Sequence, residues 1–138
     1  MDFYLSNLSD RRLEGVDPRL IELAEKAIKR TPVDFGIAWM GGKRTPKEQY
    51  ELYLAGNSHK DGYRKKSKHQ SGHAIDILPY VNGEVDMTRE NYLIIIGVFF
   101  AVAHELGIEI RSGANWDRDA EFLTDQDFDD LAHIELVS

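Results

Sequence analysis

The sequence contains no cysteine, which excludes disulfide frameworks, thiolate zinc fingers, iron–sulfur clusters and cysteine nucleophiles. It also lacks a long apolar run, because the longest, Tyr92 to Ala103, is shorter than the ~20 residues that span a bilayer. The N-terminus lacks the charged-then-apolar order of a signal peptide. We therefore expect synthesis in the cytoplasm and no stable insertion into a membrane.

Basic residues are scarce, since 17 Lys and Arg stand against 24 Asp and Glu and leave a net charge of −7. This sign is unfavourable for binding to duplex DNA or anionic lipid, so we expect no nucleic-acid partner. The positive charges are densest between Lys60 and Lys68, and acidic residues crowd the segment from Asp117 to Glu135. Charge runs are most often solvated loops, so this pattern by itself assigns no site.

The remaining composition is that of a folded domain. The chain of 138 residues is 42% hydrophobic and 30% charged, which is far from the composition of disordered chains. Its length lies within the range of one domain that buries its own core. We therefore expect a single domain over residues 1–138, and we expect a monomer.

Capping signals and hydrophobic periodicity predict alternating helices and strands. Asp17-Pro18 and the capping box from Thr45 to Glu48 each mark a helix start. We predict helices over about 18–30, 46–55 and 89–106, strands over about 35–39, 74–79, 108–110 and 134–137, a turn at 82–83, and loops over 57–70 and 113–129. This order predicts an α+β fold with a small, largely antiparallel sheet packed with helices.

The segment from Ser67 to Asp76 is rich in metal-binding side chains. His69 lies at the end of a predicted loop and Asp76 on the following strand, and Gly72 can turn the chain so that both converge. A catalytic zinc ion takes three protein ligands at about 2.0–2.2 Å and keeps a fourth position for water. His133, at the start of the last strand, is the best candidate for the third ligand.

Two further residues would complete the chemistry of a hydrolase. Asp130 precedes His133 by three residues, a spacing that brings its carboxylate beside the same metal. An ionised carboxylate there can accept the proton of a water molecule whose pKa zinc has lowered to ~7. Arg44 lies next to a predicted helix N-terminus and suits the oxyanion of a tetrahedral intermediate.

These residues resemble the motifs of a known family. The pattern S-x-H-x-x-G-x-A-x-D at Ser67–Asp76, followed by D-x-x-H at Asp130–His133, resembles the zinc D-Ala-D-Ala peptidases of the VanY/VanX type. It is most similar to their small phage members, the L-alanyl-D-glutamate endopeptidases that serve as endolysins. The similarity includes G-x-R-[ST]-x-x-x-Q at residues 42–49 and extends over about residues 17–137.

The resemblance implies a hedgehog/D-Ala-D-Ala peptidase-like fold with a zinc site in a cleft. It also implies a zinc endopeptidase that cuts peptidoglycan stem peptides next to a D-amino acid. Such an enzyme would be a phage or prophage endolysin, made in the host cytoplasm and acting on the cell wall. The implied site residues are the zinc ligands His69, Asp76 and His133, the catalytic Asp130 and Arg44, and the substrate-binding Ser67, Gln49 and Trp116.

Several histidines have alternative interpretations. His69 and His73 are four residues apart and could share a helix face as a metal pair, although Gly72 argues against a helix there. His59 falls in the basic loop and His104 in the long predicted helix. We interpret both of these as solvated or structural.

The tryptophans and the acidic segment also have simpler interpretations. Trp39, like Trp116 taken alone, is typical of a core position. Asp117, Asp119 and Glu121 have the alternating oxygen spacing of a calcium loop but lack the Gly and final Glu of an EF-hand. A regulatory Ca²⁺ there is a hypothesis for a second cation.

The function has alternatives as well. A D,D-carboxypeptidase or dipeptidase releasing terminal D-Ala would use the same ligands. A noncatalytic zinc-binding module would use them to hold a partner, and Asp130 would then be one more charge in an acidic loop. A metal-dependent nuclease is disfavoured by the net charge.

Overall fold

A computed structural model describes residues 2–113 and 130–137 of the chain. Within them the helices are α1 (Asn7–Arg12), α2 (Pro18–Arg30), α3 (Pro46–Leu54) and α4 (Arg89–Leu106). The strands are β1 (Asp34–Ile37), β2 (Ala74–Val81), β3 (Glu84–Val85), β4 (Ile110–Ser112) and β5 (His133–Leu136). The three predicted helices are confirmed, and α1 is additional. No helix in the described ranges is long and apolar enough to cross a membrane.

The strands form one antiparallel sheet, as predicted. Their order is β1–β2–β5–β4, and β3 pairs with β2. β2 and β3 form a hairpin around the turn predicted at Asn82-Gly83, where φ is 53° and 79°, values that favour Asn and Gly in a tight turn. Because β5 lies beside β2, the last strand of the chain is brought next to the strand that carries the metal-binding motif.

The hydrophobic core lies between the sheet and two helices, since α4 packs against β2, β4 and α2. Leu20 and Leu23 of α2 and Ile95 and Phe99 of α4 are fully buried. Phe99 also packs against Phe35 of β1, with ring centroids 5.4 Å apart. Burial of each such side chain contributes about 1.5–3 kcal/mol. These contacts fix the sheet on which the polar site is built.

Helix α1 has no apolar periodicity that would have predicted it. It begins after Ser6, whose hydroxyl accepts a hydrogen bond from the Ser9 N–H group. The Ser9 hydroxyl in turn accepts from the N–H group of Ile37 at 3.0 Å, and Arg12 donates to the Ile37 carbonyl at 2.9 Å. Tertiary contacts with β1 therefore stabilise this helix.

The interpretation of Trp39 as a core residue is wrong. β1 ends at Ile37, and Trp39 is 71% exposed. The chain leaves the sheet in a tight turn, in which the Gly41 N–H group donates to the Ala38 carbonyl at 2.8 Å. This turn breaks the strand alternation that predicted a buried indole.

Candidate metal centre

Strand pairing gathers polar side chains on one face of the sheet. Successive side chains of a strand point to opposite faces, so Ile75 enters the core while Asp76 faces the other side. Asp76 is paired with His133, and Glu135 is paired with Arg111. Residues paired across a ladder share a face, and Glu135 shares one with His133 because they are two residues apart. The sheet therefore presents four polar side chains together.

His69 approaches these side chains from the loop that precedes β2. Gly72 has a φ of 78°, and a Cβ there would lie 2.7 Å from the carbonyl oxygen of Gly15, so this position requires glycine. The Ser67 hydroxyl accepts a hydrogen bond from the His69 N–H group at 3.2 Å. The predicted convergence of His69 and Asp76 around the Gly72 turn is confirmed, since the two side chains lie 3.3 Å apart.

Among residues 2–113 and 130–137, the group that can hold a metal ion consists of His69, Asp76 and His133. Oδ1 of Asp76 lies 3.3 Å from Nε2 of His69 and 3.4 Å from Nδ1 of His133. Ligands about 2.0–2.1 Å from a tetrahedral ion are about 3.3–3.4 Å from one another. The two spacings from Asp76 therefore fit a small tetrahedral cation such as zinc, and all three ligand atoms lie within 4.8 Å of one another.

Each imidazole is fixed through its other nitrogen. Nδ1 of His69 lies 3.0 Å from the carbonyl oxygen of Gly42, and Nε2 of His133 lies 2.8 Å from Oε1 of Glu135. Those oxygens can only accept hydrogen bonds, so these nitrogens carry ring protons, and the opposite nitrogens are the ones that face the site and can bind a metal. Histidine ligands of metals are typically held in this way.

The charges of the site favour the binding of a cation. Oδ1 of Asp76 is buried and makes no hydrogen bond to any described residue. Burial acts to raise the pKa of Asp76, but the imidazoles of His69 and His133 outweigh it and hold the pKa well below its usual value. Burial acts to lower the pKa of His133, but the carboxylates of Asp76 and Glu135 outweigh it and raise the pKa to about 9. The site thus attracts positive charge, which a proton or a metal ion can supply.

Arg44 is anchored by all three of its nitrogens. Nη2 donates to Oδ2 of Asp76 at 2.9 Å, Nε to the carbonyl of Met40 at 2.7 Å, and Nη1 to Oε1 of Gln49 at 3.0 Å. The bond to Oδ2 leaves Oδ1 of Asp76 as the oxygen that faces the imidazoles. A guanidinium has five N–H groups, so Arg44 retains donors beyond these three bonds.

Gln49, which the sequence resemblance assigns to substrate binding, lies behind Arg44 and is fully buried. Besides accepting from Arg44, its amide nitrogen donates to the Ser58 hydroxyl at 2.9 Å and to the Lys60 carbonyl at 2.8 Å. It therefore connects the guanidinium to the following loop. This placement favours support of Arg44 over contact with a substrate.

Asp130 stands beside the three ligands without joining them. Its Oδ2 lies 4.0 Å from Nδ1 of His133, and its side chain is 38% exposed. A Cβ on Gly113 would lie only 2.0 Å from the Asp130 carbonyl oxygen, so glycine is what allows the two segments to meet. Burial and the nearby charge of Asp76 raise the pKa of Asp130. A carboxylate with a raised pKa is a better proton acceptor than an ordinary one.

Glu135 is a site residue that sequence reasoning missed as a functional group. Besides the His133 ring, it binds Nζ of Lys68 at 3.2 Å and a guanidinium nitrogen of Arg111 at 3.0 Å. Burial acts to raise its pKa, but His133, Lys68 and Arg111 outweigh burial and lower the pKa to about 2. The alternation His133-x-Glu135 on a strand was the signal that could have found it.

The centre opens into a cleft of about 380 Å³. Apart from the three ligands, its lining includes Trp39, Arg44, Ser67, Lys68, Arg111 and Asp130. A cleft of this volume lies within the usual range for small-ligand sites. It combines an exposed aromatic ring, several cations and two carboxylates outside the ligand group, those of Asp130 and Glu135.

Other histidines do not join the metal group of the described residues. Nε2 of His73 lies 3.6 Å from Oδ2 of Asp17. The alternative of a helical His69–His73 pair is wrong, because the chain turns at Gly72 and continues as β2. His104 is exposed on α4, as expected for a solvated residue.

Some expectations fall on residues that the structure does not describe. Trp116, assigned to substrate binding by resemblance, lies outside the described residues. The same is true of Asp117, Asp119 and Glu121, on which the hypothesis of a regulatory calcium ion depends.

Comparisons with known proteins agree with this geometry. The family model for phage L-alanyl-D-glutamate peptidase matches residues 1–137. The L-alanyl-D-glutamate peptidase of Escherichia phage T5 is 34% identical over 141 aligned positions, which cover 99% of this chain and 100% of that protein. The crystal structure of the L-Ala D-Glu endopeptidase ChiX of Serratia marcescens matches with a TM-score of 0.76 and 27% identity, covering 93% of this chain and 85% of that one.

Proposed function

The chain belongs to the phage L-alanyl-D-glutamate peptidase family, and from this premise we propose that it hydrolyses the amide between L-alanine and D-glutamate in the stem peptide of peptidoglycan. It is a peptidase whose substrate is part of the bacterial cell wall. We further propose that it is made in the cytoplasm of an infected host and reaches the wall after release.

One observation carries the proposal. Three side chains that can bind a metal present one atom each to a common point, and the other polar atom of each is held by a separate partner. Two nitrogens and one carboxylate oxygen at these spacings suit zinc. We propose Zn²⁺ as the ion, with His69, Asp76 and His133 as its ligands. Bound zinc would supply Lewis-acid polarisation of the scissile carbonyl and lower the pKa of a water molecule.

The residues around the ligands have complementary roles in this proposal. The Asp130 carboxylate accepts the proton of the attacking water and then passes it to the amine of D-glutamate, which leaves as the C–N bond breaks. The Arg44 guanidinium stabilises the negative charge that develops on the carbonyl oxygen. These roles are supported by the raised pKa of Asp130 and by the threefold anchoring of Arg44.

Digestion of purified sacculi tests the function. Zinc-loaded protein and protein treated with a chelator are incubated with sacculi, and the released fragments are identified by mass spectrometry. We expect new N-terminal D-glutamate with zinc and none after chelation. Free D-Ala would instead identify a D,D-carboxypeptidase, and intact sacculi in the presence of zinc-bound protein would identify a noncatalytic module.

A further inference from the structure

Ser58 is a partly buried polar residue in the wall of the metal cleft. It lies in the loop that follows α3. Its hydroxyl oxygen accepts two hydrogen bonds, from the amide nitrogen of Gln49 at 2.9 Å and from the N–H group of Lys60 at 3.2 Å. Within the described part of the chain, no group accepts a hydrogen bond from this hydroxyl.

The directions of these hydrogen bonds are fixed by the chemistry of the partners. A guanidinium can only donate, so the side-chain oxygen of Gln49 is the atom that faces Arg44 at 3.0 Å. The Gln49 nitrogen then donates to the Lys60 carbonyl and to the Ser58 hydroxyl. A hydroxyl has two acceptor positions and one proton. Both acceptor positions of Ser58 are filled, so its proton is left for a ligand in the cleft.

This proton lies at the end of a chain of hydrogen bonds that begins at a charged group. Arg44 donates to Gln49, and Gln49 donates to Ser58. Hydrogen bonds in such a chain polarise one another and strengthen the last donor. We therefore expect the Ser58 hydroxyl to bind a negatively charged oxygen better than an isolated serine would.

The charged groups of the cleft differ in what they contact. Those that line it are the cations Arg44, Lys60, Lys68 and Arg111 and the carboxylates Asp76, Asp130 and Glu135. Arg44 forms an ion pair with Asp76, and Glu135 forms ion pairs with both Lys68 and Arg111. Oδ2 of Asp130 lies 4.0 Å from Nδ1 of His133, beside the metal ligands. Three of the four cations therefore already contact a carboxylate of the cleft.

Lys60 is the fourth cation, and its N–H group is one of the two that hold Ser58. It forms no ion pair with any residue that the structure describes. The neighbouring carboxylate of Asp61 is engaged by the backbone, because its Oδ1 accepts from the N–H groups of residues 63, 64 and 65 at 2.9–3.0 Å. Asp61 also does not line the cleft. Lys60 can therefore contact a negative ligand that lies next to Ser58.

The loop that carries these two donors is held at both ends. The N–H group of Asn57 donates to the Leu52 carbonyl at 2.9 Å. The three hydrogen bonds to Asp61 close the turn that follows Lys60. None of these contacts involves Gln49. The loop therefore keeps both donors at the cleft even when Gln49 is replaced.

We propose that Ser58 and Lys60 form a carboxylate-binding subsite of the cleft, which holds a free carboxylate of the substrate peptide. Charge-assisted hydrogen bonds to a carboxylate are about twice as strong as neutral ones. The single carboxyl group of L-alanine forms the bond that is cut, so the free carboxylates belong to D-glutamate or to the end of the peptide. This inference rests on the proposed function, because it takes the stem peptide as the substrate.

Peptides that begin with D-glutamate test the subsite without cleavage, because they lack the bond to L-alanine. Calorimetry with the zinc-loaded protein compares a peptide whose carboxylates are all free with peptides in which one of them is amidated. We expect one amidation to raise Kd about five- to tenfold in the wild type and thereby to identify the carboxylate that is bound. In Ser58→Ala the same amidation should raise Kd less than about twofold. Ser58→Thr keeps the hydroxyl and should restore most of the difference.

Lys60→Gln tests the second donor. We expect it to raise Kd for the free peptide about two- to fivefold, a smaller effect than that of Ser58→Ala, because an ion pair in contact with water is weak. Lys29→Gln is the matched control, since Lys29 is an exposed lysine of α2 that does not line the cleft. With the intact stem peptide, Ser58→Ala should raise KM by a larger factor than it lowers kcat.

Two results would overturn the subsite. One is that no amidation weakens binding to the wild type, and the other is that amidation weakens binding to Ser58→Ala by the same factor. Cleavage of sacculi between L-alanine and D-glutamate would still support the function in either case. A fall in kcat alone would make Ser58 a support of Arg44 rather than a binding residue. Cleavage at another bond would refute the proposed function, and the titration would still decide whether Ser58 and Lys60 bind a carboxylate.

Discussion

Nε2 of His133 donates a hydrogen bond to Oε1 of Glu135 across 2.8 Å, and this bond determines that Nδ1 is the nitrogen facing Asp76. Glu135 is itself held by Lys68 and Arg111. The orientation of a metal ligand thus depends on a carboxylate that does not touch the metal position. A carboxylate that accepts a hydrogen bond from the other ring nitrogen of a histidine ligand orients that ligand and raises its basicity.

We therefore predict that Glu135→Gln weakens zinc binding by roughly 10- to 100-fold. The amide keeps the shape but loses the charge that favours the Nε2–H tautomer of His133. Competition with a chromogenic chelator measures the affinity, and Glu84→Gln on the exposed strand β3 is the control. An affinity equal to that of the wild type would show that Glu135 does not orient the ligand.

Zinc should also stabilise the fold, because a buried carboxylate oxygen without a hydrogen bond gains a partner. At a zinc concentration near 100 times Kd the gain is about 2.7 kcal/mol, which corresponds to a rise in Tm of roughly 5 to 10 °C. Thermal unfolding of the metal-free protein with and without zinc measures this shift. Asp76→Asn should abolish it, whereas His104→Ala, at an exposed histidine on α4, should preserve it.

A substitution of Gln49 distinguishes whether this residue supports Arg44 or binds the substrate. Gln49→Leu removes the bonds to Arg44, Ser58 and Lys60. We expect a loss of about 1–3 kcal/mol in the free energy of unfolding, because buried polar groups lose their partner. We also expect a lower kcat with little change in KM, since Arg44 is misplaced. Urea unfolding measures the loss of stability, and steady-state kinetics measure the change in kcat and KM. A raised KM at constant kcat would instead indicate direct substrate contact.

The parts of the fold that depend on local chemistry could be predicted from the sequence. The capping box of Thr45 and Glu48 forms as expected and starts α3. The hairpin at Asn82-Gly83 follows from two residues that tolerate positive φ. The convergence of His69 and Asp76 could be predicted as well, because both residues lie within a few positions of the Gly72 turn.

The features that could not be predicted from the sequence depend on contacts between distant segments. The contact of Glu135 with Arg111 depends on the register of β4 and β5, and no local pattern encodes that register. Trp39 continued the alternation of a strand, but the turn closed by the Gly41 N–H group and the Ala38 carbonyl ends the strand before it. The six residues of α1 are held mainly by contacts with β1.

Asp34 provides a test of pH-dependent stability away from the site. Its Oδ1 is buried without a hydrogen bond to any described residue, and burial raises the pKa of the carboxyl, an effect that the Phe35 backbone only partly offsets. The folded state therefore binds this proton more tightly than the unfolded state, and the resulting stability is lost as pH rises through the folded pKa.

Asp34→Asn should consequently stabilise the protein at pH ~7, by less than about 1 kcal/mol. The gain should be smaller at pH ~4 than at pH ~7, because a carboxyl with a raised pKa takes up its proton as the pH falls. Urea unfolding at the two pH values measures the difference, with the exposed Asp2→Asn as control. A gain that does not change with pH would rule out ionisation of Asp34 as its cause.

Asp130→Asn separates the general base from the metal ligands. Asparagine has nearly the same shape as aspartate but cannot accept a proton, so we expect kcat to fall by about 10²- to 10⁴-fold. Zinc affinity should remain within a few-fold of the wild type, because Oδ2 of Asp130 lies 4.0 Å from Nδ1 of His133 and outside the ligand group. Chelator competition and cleavage of a muropeptide measure the two properties in one preparation. Loss of zinc along with activity would make Asp130 a ligand, and retained cleavage would remove it from the reaction.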